Sequence, residues 1–190
     1  MLKYVLLGFL SYLPLTGYEL EGWMNISTSN FWQAKLSQIY TTLKKLEEEG
    51  AVTSQIAPQE GRPDRRVYTI TEAGLAELYE WQRTPILDLP QKKDALLVKV
   101  FFGLEAGKEA MLTQLRLQLD LHRRQQQHYA QQSFNDMQHI LEDHPELVTN
   151  AILWDSTRRF GVMYEEMYIG WLQETIAMVE KTLPDDEKAK

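Results

Sequence analysis

The sequence predicts a mainly α chain with one small β-hairpin, built as a reading half at the N-terminus and a long-helix half after it. Three observations carry that prediction. Leu36, Ile39, Tyr40, Leu43 and Leu46 recur at intervals of three and four, which places them on one helical face. Two short runs of mixed β-branched and polar residues, 51–57 and 67–70, flank Glu60-Gly61-Arg62-Pro63-Asp64-Arg65-Arg66, where Gly and Pro dictate a loop. Beyond Gly107 the chain runs to Asp143 without a Pro or Gly, and an apolar-rich helical stretch follows over 146–183. A helix followed by a hairpin with an arginine-rich tip is the reading half of a winged helix-turn-helix.

The elements follow in order. Leu2–Leu13 is apolar with little periodicity, so it reads as a largely buried helix that Pro14 closes. Thr16-Gly17-Tyr18-Glu19 has the spacing of a capping box, which starts a second helix running to about Met24. Asn25–Asn30 is a polar turn, and the reading helix comes next. Gly50 suits its left-handed C-terminal cap. Glu47, Glu48 and Glu49 then end that helix away from the wing. After the hairpin, Thr71 caps a further helix whose apolar face is Leu75, Leu78 and Tyr79.

The combination has a geometric purpose. A helix fits the major groove and offers short polar side chains to base edges. Ser37, Gln38, Thr41 and Thr42 suit that approach, while Lys35, Lys44 and Lys45 suit phosphates. Arg62, Arg65 and Arg66 at the hairpin tip would meet phosphates or the adjoining minor groove. The bland reading of the same residues is a surface helix with a solvated turn. Tyr40 has two readings: its ring packs under the wing, or its hydroxyl faces outward.

From Arg83 to Lys93 the chain reads Arg-Thr-Pro-Ile-Leu-Asp-Leu-Pro-Gln-Lys-Lys, whose two prolines and shift in composition mark a linker to the C-terminal half. Asp94–Gly103 is short and strongly apolar, which predicts a buried helix with Asp94 near its start. Gly107–Asp143 as a single helix would be about 55 Å long. Pro145 suits the first turn of the last helix, where Trp154, Phe160, Tyr164, Tyr168 and Trp171 are prominent among many apolar residues. That is more apolar surface than one partner helix covers, so a second subunit is expected. Gly161 and Gly170 fit close approach of another helix, or are simply tolerated. The organisation is therefore a DNA-binding domain over 1–83, a linker and connecting helix over 84–106, and a helical dimerisation domain over 107–190.

Composition bounds the chemistry. The 190 residues include 44% hydrophobic side chains, enough for a sizeable core, and no cysteine, which removes disulfides and thiolate metal sites. No run approaches the roughly 18 apolar residues of a bilayer span, and the apolar start lacks a cleavage site, so a cytoplasmic location is expected. The net charge is −7: residues 1–83 hold 8 Lys+Arg against 10 Asp+Glu, and the rest 12 against 17. The acidic excess thus lies mostly outside the reading half. His122, His128, His139 and His144 form no ligand-spaced pattern, with His139, Glu142 and His144 read as surface residues rather than a metal site. No nucleophile stands with a base, no phosphate-binding glycine loop is present, and no cofactor is expected.

At this point several blocks coincide. Leu6-Leu7-Gly8-Phe9-Leu10, Thr16-Gly17-Tyr18-Glu19-Leu20, Ile39-Tyr40-Thr41-Thr42-Leu43-Lys44-Lys45-Leu46-Glu47-Glu48-Glu49-Gly50, Gly61-Arg62-Pro63 and Tyr68-Thr69-Ile70-Thr71-Glu72-Ala73-Gly74 together resemble the PadR family of transcriptional regulators. The size and helical tail resemble its subfamily with a long, virulence-activator-like C-terminal domain. The resemblance implies a cytoplasmic homodimer, joined through its C-terminal helices, that binds double-stranded operator DNA. It also implies that Tyr40 lies near the DNA backbone. Some family members respond to phenolic or planar hydrophobic compounds, and Trp154, Tyr164, Tyr168 and Trp171 are the candidate residues for such an effector. The bulky Phe31-Trp32 pair departs from the family pattern, so no operator sequence carries over. A repressor is the leading expectation. A protein-interaction adaptor that kept the winged helix without sequence-specific DNA readout is the alternative, motivated by the acidic total.

Overall fold

The computed structural model describes residues 1–58, 64–90 and 92–185. It is mainly helical with one small antiparallel sheet. The chain divides into two compact units, one of Met1–Asp88 with His144–Leu147, the other of Leu89–Asp143 with Val148–Lys190.

In the first unit, α1 (Leu2–Leu10), α2 (Gly17–Ser27) and α3 (Leu36–Glu48) precede β2 (Val52–Ala57), β3 (Arg65–Ile70) and α4 (Glu72–Arg83). A two-residue strand, β1 (Leu15–Thr16), was not expected from the sequence. It pairs with β3, so the sheet order is β1-β3-β2 with β3 in the middle. Two residues are too few for an alternating pattern to register. The core is Leu6, Leu7 and Leu10 of α1, Leu20 and Met24 of α2, Ile39, Leu43 and Leu46 of α3, then Val52, Tyr68 and Leu78. Each such aliphatic side chain, fully buried, stabilises the unit by roughly 1.5–3 kcal/mol.

Local signals set the helix ends. The Thr16 hydroxyl accepts from the Glu19 amide at 3.1 Å, and the Glu19 carboxylate accepts from the Thr16 amide at 2.8 Å. Gly50 closes α3 at φ +75°. Its amide donates to the Glu47 carbonyl and that of Ala51 to the Leu46 carbonyl, the paired bonds of a Schellman cap. Helix α4 docks on the start of β2 through Gly74, where a Cβ would stand 2.1 Å from the Ala51 carbonyl oxygen. Its expected apolar face is narrower than the sequence suggested: Leu78 is buried, Leu75 half-buried and Tyr79 exposed.

The second unit holds α5 (Ala95–Phe101), α6 (Lys108–Gln127), α7 (Ser133–Asp143) and α8 (Val148–Thr182). Helices α6 and α8 run antiparallel; Arg116 pairs with Glu180 (2.7 Å) between them, and Lys108 at the start of α6 pairs with Asp185 just beyond α8 (3.0 Å). Leu96, Met111, Leu112, Leu115, Tyr168, Leu172 and Val179 form the core. The single helix expected over 107–143 is interrupted by a π-type turn at His128–Gln132. Within it Tyr129 is buried and its carbonyl accepts from Arg158 at 3.1 Å.

Helix α5 corrects another expectation. Leu96 is buried, yet Phe101 and Phe102 are 82% and 72% exposed, and Leu97 and Val98 also face outward. A two-turn helix that is apolar on every side cannot turn all of its surface to one core. Along α8, Ile152, Leu153, Phe160, Met163 and Met167 are likewise exposed. Gly161 is buried, whereas among the described residues nothing would lie within 4 Å of a Cβ at Gly170. Among the described residues no helix is long and apolar enough to cross a membrane. Between α4 and α5 the side chains of Ile86, Leu87 and Leu89 are 84–93% exposed.

Candidate nucleic-acid interface

Helix α3 presents its polar side to solvent. Lys35 stands at the N-cap, and the Gln38 side-chain oxygen accepts from the Lys35 amide at 2.9 Å. Ser37, Gln38, Tyr40, Thr41, Lys44 and Lys45 are exposed and Thr42 is half-exposed. Ser37, Gln38, Thr41 and Thr42 line a shallow depression together with Leu2. The Thr41 and Thr42 hydroxyls each donate to the carbonyl four residues back, at 2.8 Å. Their protons are thereby engaged by the helix, and what they show outward is an acceptor oxygen and a methyl group. Lys44 pairs loosely with Glu48 at 3.8 Å, an exposed contact of little consequence for stability.

Tyr40 lies at the edge between core and surface. It is 44% exposed. Its ring lies against Gly17 at the start of α2, where a Cβ would sit 2.6 Å from Cε1. Position 40 lies at the border of the apolar stripe, one step round the helix from buried Ile39, and Gly17 leaves room for the ring.

The wing arginines are placed differently from the sequence reading. Arg65 and Arg66 do not belong to the loop tip, because β3 begins at Arg65. Side chains alternate along a strand, so the two diverge. Arg65 Nη1 lies 3.7 Å from Glu19 of the capping box. Arg66 Nη2 lies 2.9 Å from Glu47 and its Nε donates to Ser54 Oγ at 2.7 Å. Ser54 in turn donates to Glu47 at 2.5 Å, and the Arg66 guanidinium lies over the Tyr68 ring at 5.7 Å. Glu47 is therefore not remote from the wing: the hairpin folds back along the C-terminal turn of α3. Both guanidiniums stay about half exposed, at 49% and 54%. Arg62 lies outside the described residues.

Three of the four effector candidates come together in the second unit. Tyr164, Tyr168 and Trp171 lie on one face of α8, with Tyr164–Tyr168 ring centroids 5.9 Å apart and Tyr168–Trp171 5.3 Å apart, edge to face. Trp154 is not part of this group, being about 21 Å away along the helix from Tyr168 at 1.5 Å per residue. The sequence reading missed three further members. His122 of α6 stacks on Tyr168 at 4.0 Å and contacts the buried Glu165 through Nδ1. Asp94, the α5 N-cap, accepts from the Leu96 and Leu97 amides at 2.9 and 3.2 Å and from the Tyr168 hydroxyl at 2.7 Å. Lys92 Nζ sits over the Tyr164 and Tyr168 rings at 4.7 and 5.0 Å. Burial pushes the Asp94 carboxyl up, but the Tyr168 hydroxyl, the two amides and Lys92 outweigh it and hold it below the usual range. Burial, and then the bond to Asp94, raise the Tyr168 hydroxyl far above an ordinary tyrosine.

His139 pairs with Glu142 at 3.1 Å and His144 with Glu146 at 3.4 Å. Among the described residues no group of three or more His, Asp or Glu side chains is arranged to hold a metal ion.

Comparison with known proteins adds to this geometry. Residues 6–80 match the model of the PadR-like family of transcriptional regulators, and residues 92–180 match that of the virulence activator alpha C-terminal region. The negative transcriptional regulator PadR of Bacillus subtilis is 29% identical over 187 residues, covering 95% of this chain and 98% of the relative. The crystal structure of that protein in complex with operator DNA superposes with a TM-score of 0.77 at 26% identity, over 94% of this chain and 98% of the other. Its complex with p-coumaric acid superposes at 0.67 with 24% identity, over 95% and 99%.

Proposed function

This chain belongs to the PadR-like family of transcriptional regulators, and from that membership we propose a cytoplasmic homodimeric repressor that binds operator DNA in a sequence-specific way. The observation that carries the reading is the exposed polar side of α3 in a chain that matches, over nearly its whole length, a negative regulator crystallised on operator DNA. Residues 1–83 are the DNA-binding part and 107–190 the dimerising part. Ser37, Gln38, Thr41 and Thr42 face the bases. Lys35, Tyr40, Lys44, Lys45, Arg62, Arg65 and Arg66 face the backbone. Because the Thr41 and Thr42 hydroxyls already donate within the helix, they meet base-pair donors, the amino groups of adenine or cytosine, or thymine methyls. The protein is a binding protein rather than an enzyme.

A small hydrophobic or phenolic effector releases the DNA. The p-coumaric acid complex of the Bacillus subtilis relative supports this reading. Tyr164, Tyr168 and Trp171 are the candidate contacts, and Trp154 lies too far along α8 to join them on one small molecule. Fluorescence anisotropy on the DNA upstream of the encoding gene tests the DNA reading. Saturable binding that falls steeply with salt and is weakened by replacing Arg62, Arg65 and Arg66 with Ala is expected. Equal affinity for unrelated duplex, or indifference to the triple replacement, overturns it.

A further inference from the structure

We propose that Tyr164, Tyr168 and Asp94 form a seat for an organic cation, an alkylammonium or quaternary ammonium group, and that the chain's own Lys92 occupies that seat in this structure. Two ring faces and one carboxylate converge on a single ammonium. Lys92 Nζ is 4.7 and 5.0 Å from the ring centroids, inside the roughly 6 Å range of cation–π attraction, and 3.7 Å from Asp94 Oδ2.

The seat is built, and its occupant is loose. Tyr168 is buried, stacked on His122 and bonded through its hydroxyl to Asp94. Asp94 is fixed by two backbone amides, and its side chain is only 14% exposed. The Lys92 side chain, by contrast, is 47% exposed and hangs on a four-carbon stem from a stretch that is neither helix nor strand. An ammonium from solution therefore competes with a tethered one for the same contacts, and the tethered one pays nothing in solvent access to leave.

Local charge selects the sign of the ligand. Asp94 and Glu165 supply two carboxylates, with Lys92 and His122 beside them. Once Lys92 swings away, the Asp94 charge is unopposed at the seat. A cation replaces it; a carboxylate there faces Asp94 directly. The seat thus suits a ligand of opposite sign to a phenolic acid, so the cation seat and the phenolic reading of Tyr164 and Tyr168 exclude each other, and isothermal titration decides between them. The seat's existence does not depend on the DNA-binding reading.

Isothermal titration of the full-length protein at fixed ionic strength tests the assignment. Benzyltrimethylammonium is the probe, with benzoate and benzyl alcohol as anionic and neutral counterparts. Lys92→Ala, which empties the seat, is expected to bind the cation about tenfold more tightly than the unaltered chain. Adding Tyr164→Leu or Asp94→Asn to that variant is expected to reverse the gain. Tyr164→Leu leaves the Tyr168–Asp94 bond in place, so it keeps the test sound if Asp94→Asn folds poorly. Absence of cation binding to the Lys92→Ala protein, equal affinity with and without Lys92, or a preference for benzoate overturns the proposal.

Discussion

At the residue scale, Gly74 is the position with least latitude. A Cβ there meets a carbonyl oxygen at 2.1 Å and its carbon at 2.9 Å, and backbone cannot yield as a side-chain tip does. Gly74→Ala is expected to lower stability by about 2 kcal/mol or more, read as a lower urea midpoint at unchanged slope. Asp94 sets a pH dependence. Its carboxyl is held below its unfolded value, so the stability it adds is present above that value and is lost as pH falls through the folded one. Asp94→Asn is therefore expected to flatten the acid limb of a melting-temperature profile below about pH 4, while leaving the neutral region nearly level. Asn still caps α5 but carries no charge, so the melting temperature at pH 7 is expected to fall; an acid limb as steep as that of the unaltered chain would contradict this account.

At the element scale, α3 and the sheet form the part that meets DNA in the proposed reading. Arg65→Ala and Arg66→Ala are each expected to reduce the slope of log affinity against log salt by about one. A slope that does not change would mean that the capping-box and Glu47 carboxylates hold these side chains off the phosphates. Much of this region was legible in the sequence because its signals are local. The Thr16–Glu19 box spans four residues, and Gly50 marks its own cap. The wing was less legible. Turn residues locate a loop, but the residue at which pairing resumes depends on the opposite strand, so Arg65 and Arg66 were read as tip residues rather than strand residues. The aromatic seat was legible only in part. Tyr164, Tyr168 and Trp171 share one helix, whereas Asp94 lies 74 positions from Tyr168 and no spacing rule connects them.

At the scale of the whole molecule, the exposed apolar side chains of α8 call for a second subunit. Leu153, Phe160, Met163 and Met167 are spaced by seven, three and four, a stripe of the kind that seals helix against helix. Phe160→Asp is expected to shift sedimentation from dimer to monomer and to weaken operator binding by about 100-fold or more, since the two half-sites would then bind separately. A dimer that persists would move the interface to another surface, such as the exposed face of α5. The bare stretch at Ile86, Leu87 and Leu89 has its own consequence. Proteases cut where several consecutive residues can be threaded through their cleft, and the bond after Leu87, exposed outside helix and strand and not followed by proline, is one that chymotrypsin accepts. Brief digestion is therefore expected to nick the 22.2 kDa chain there first and to release fragments of about 10 and 12 kDa.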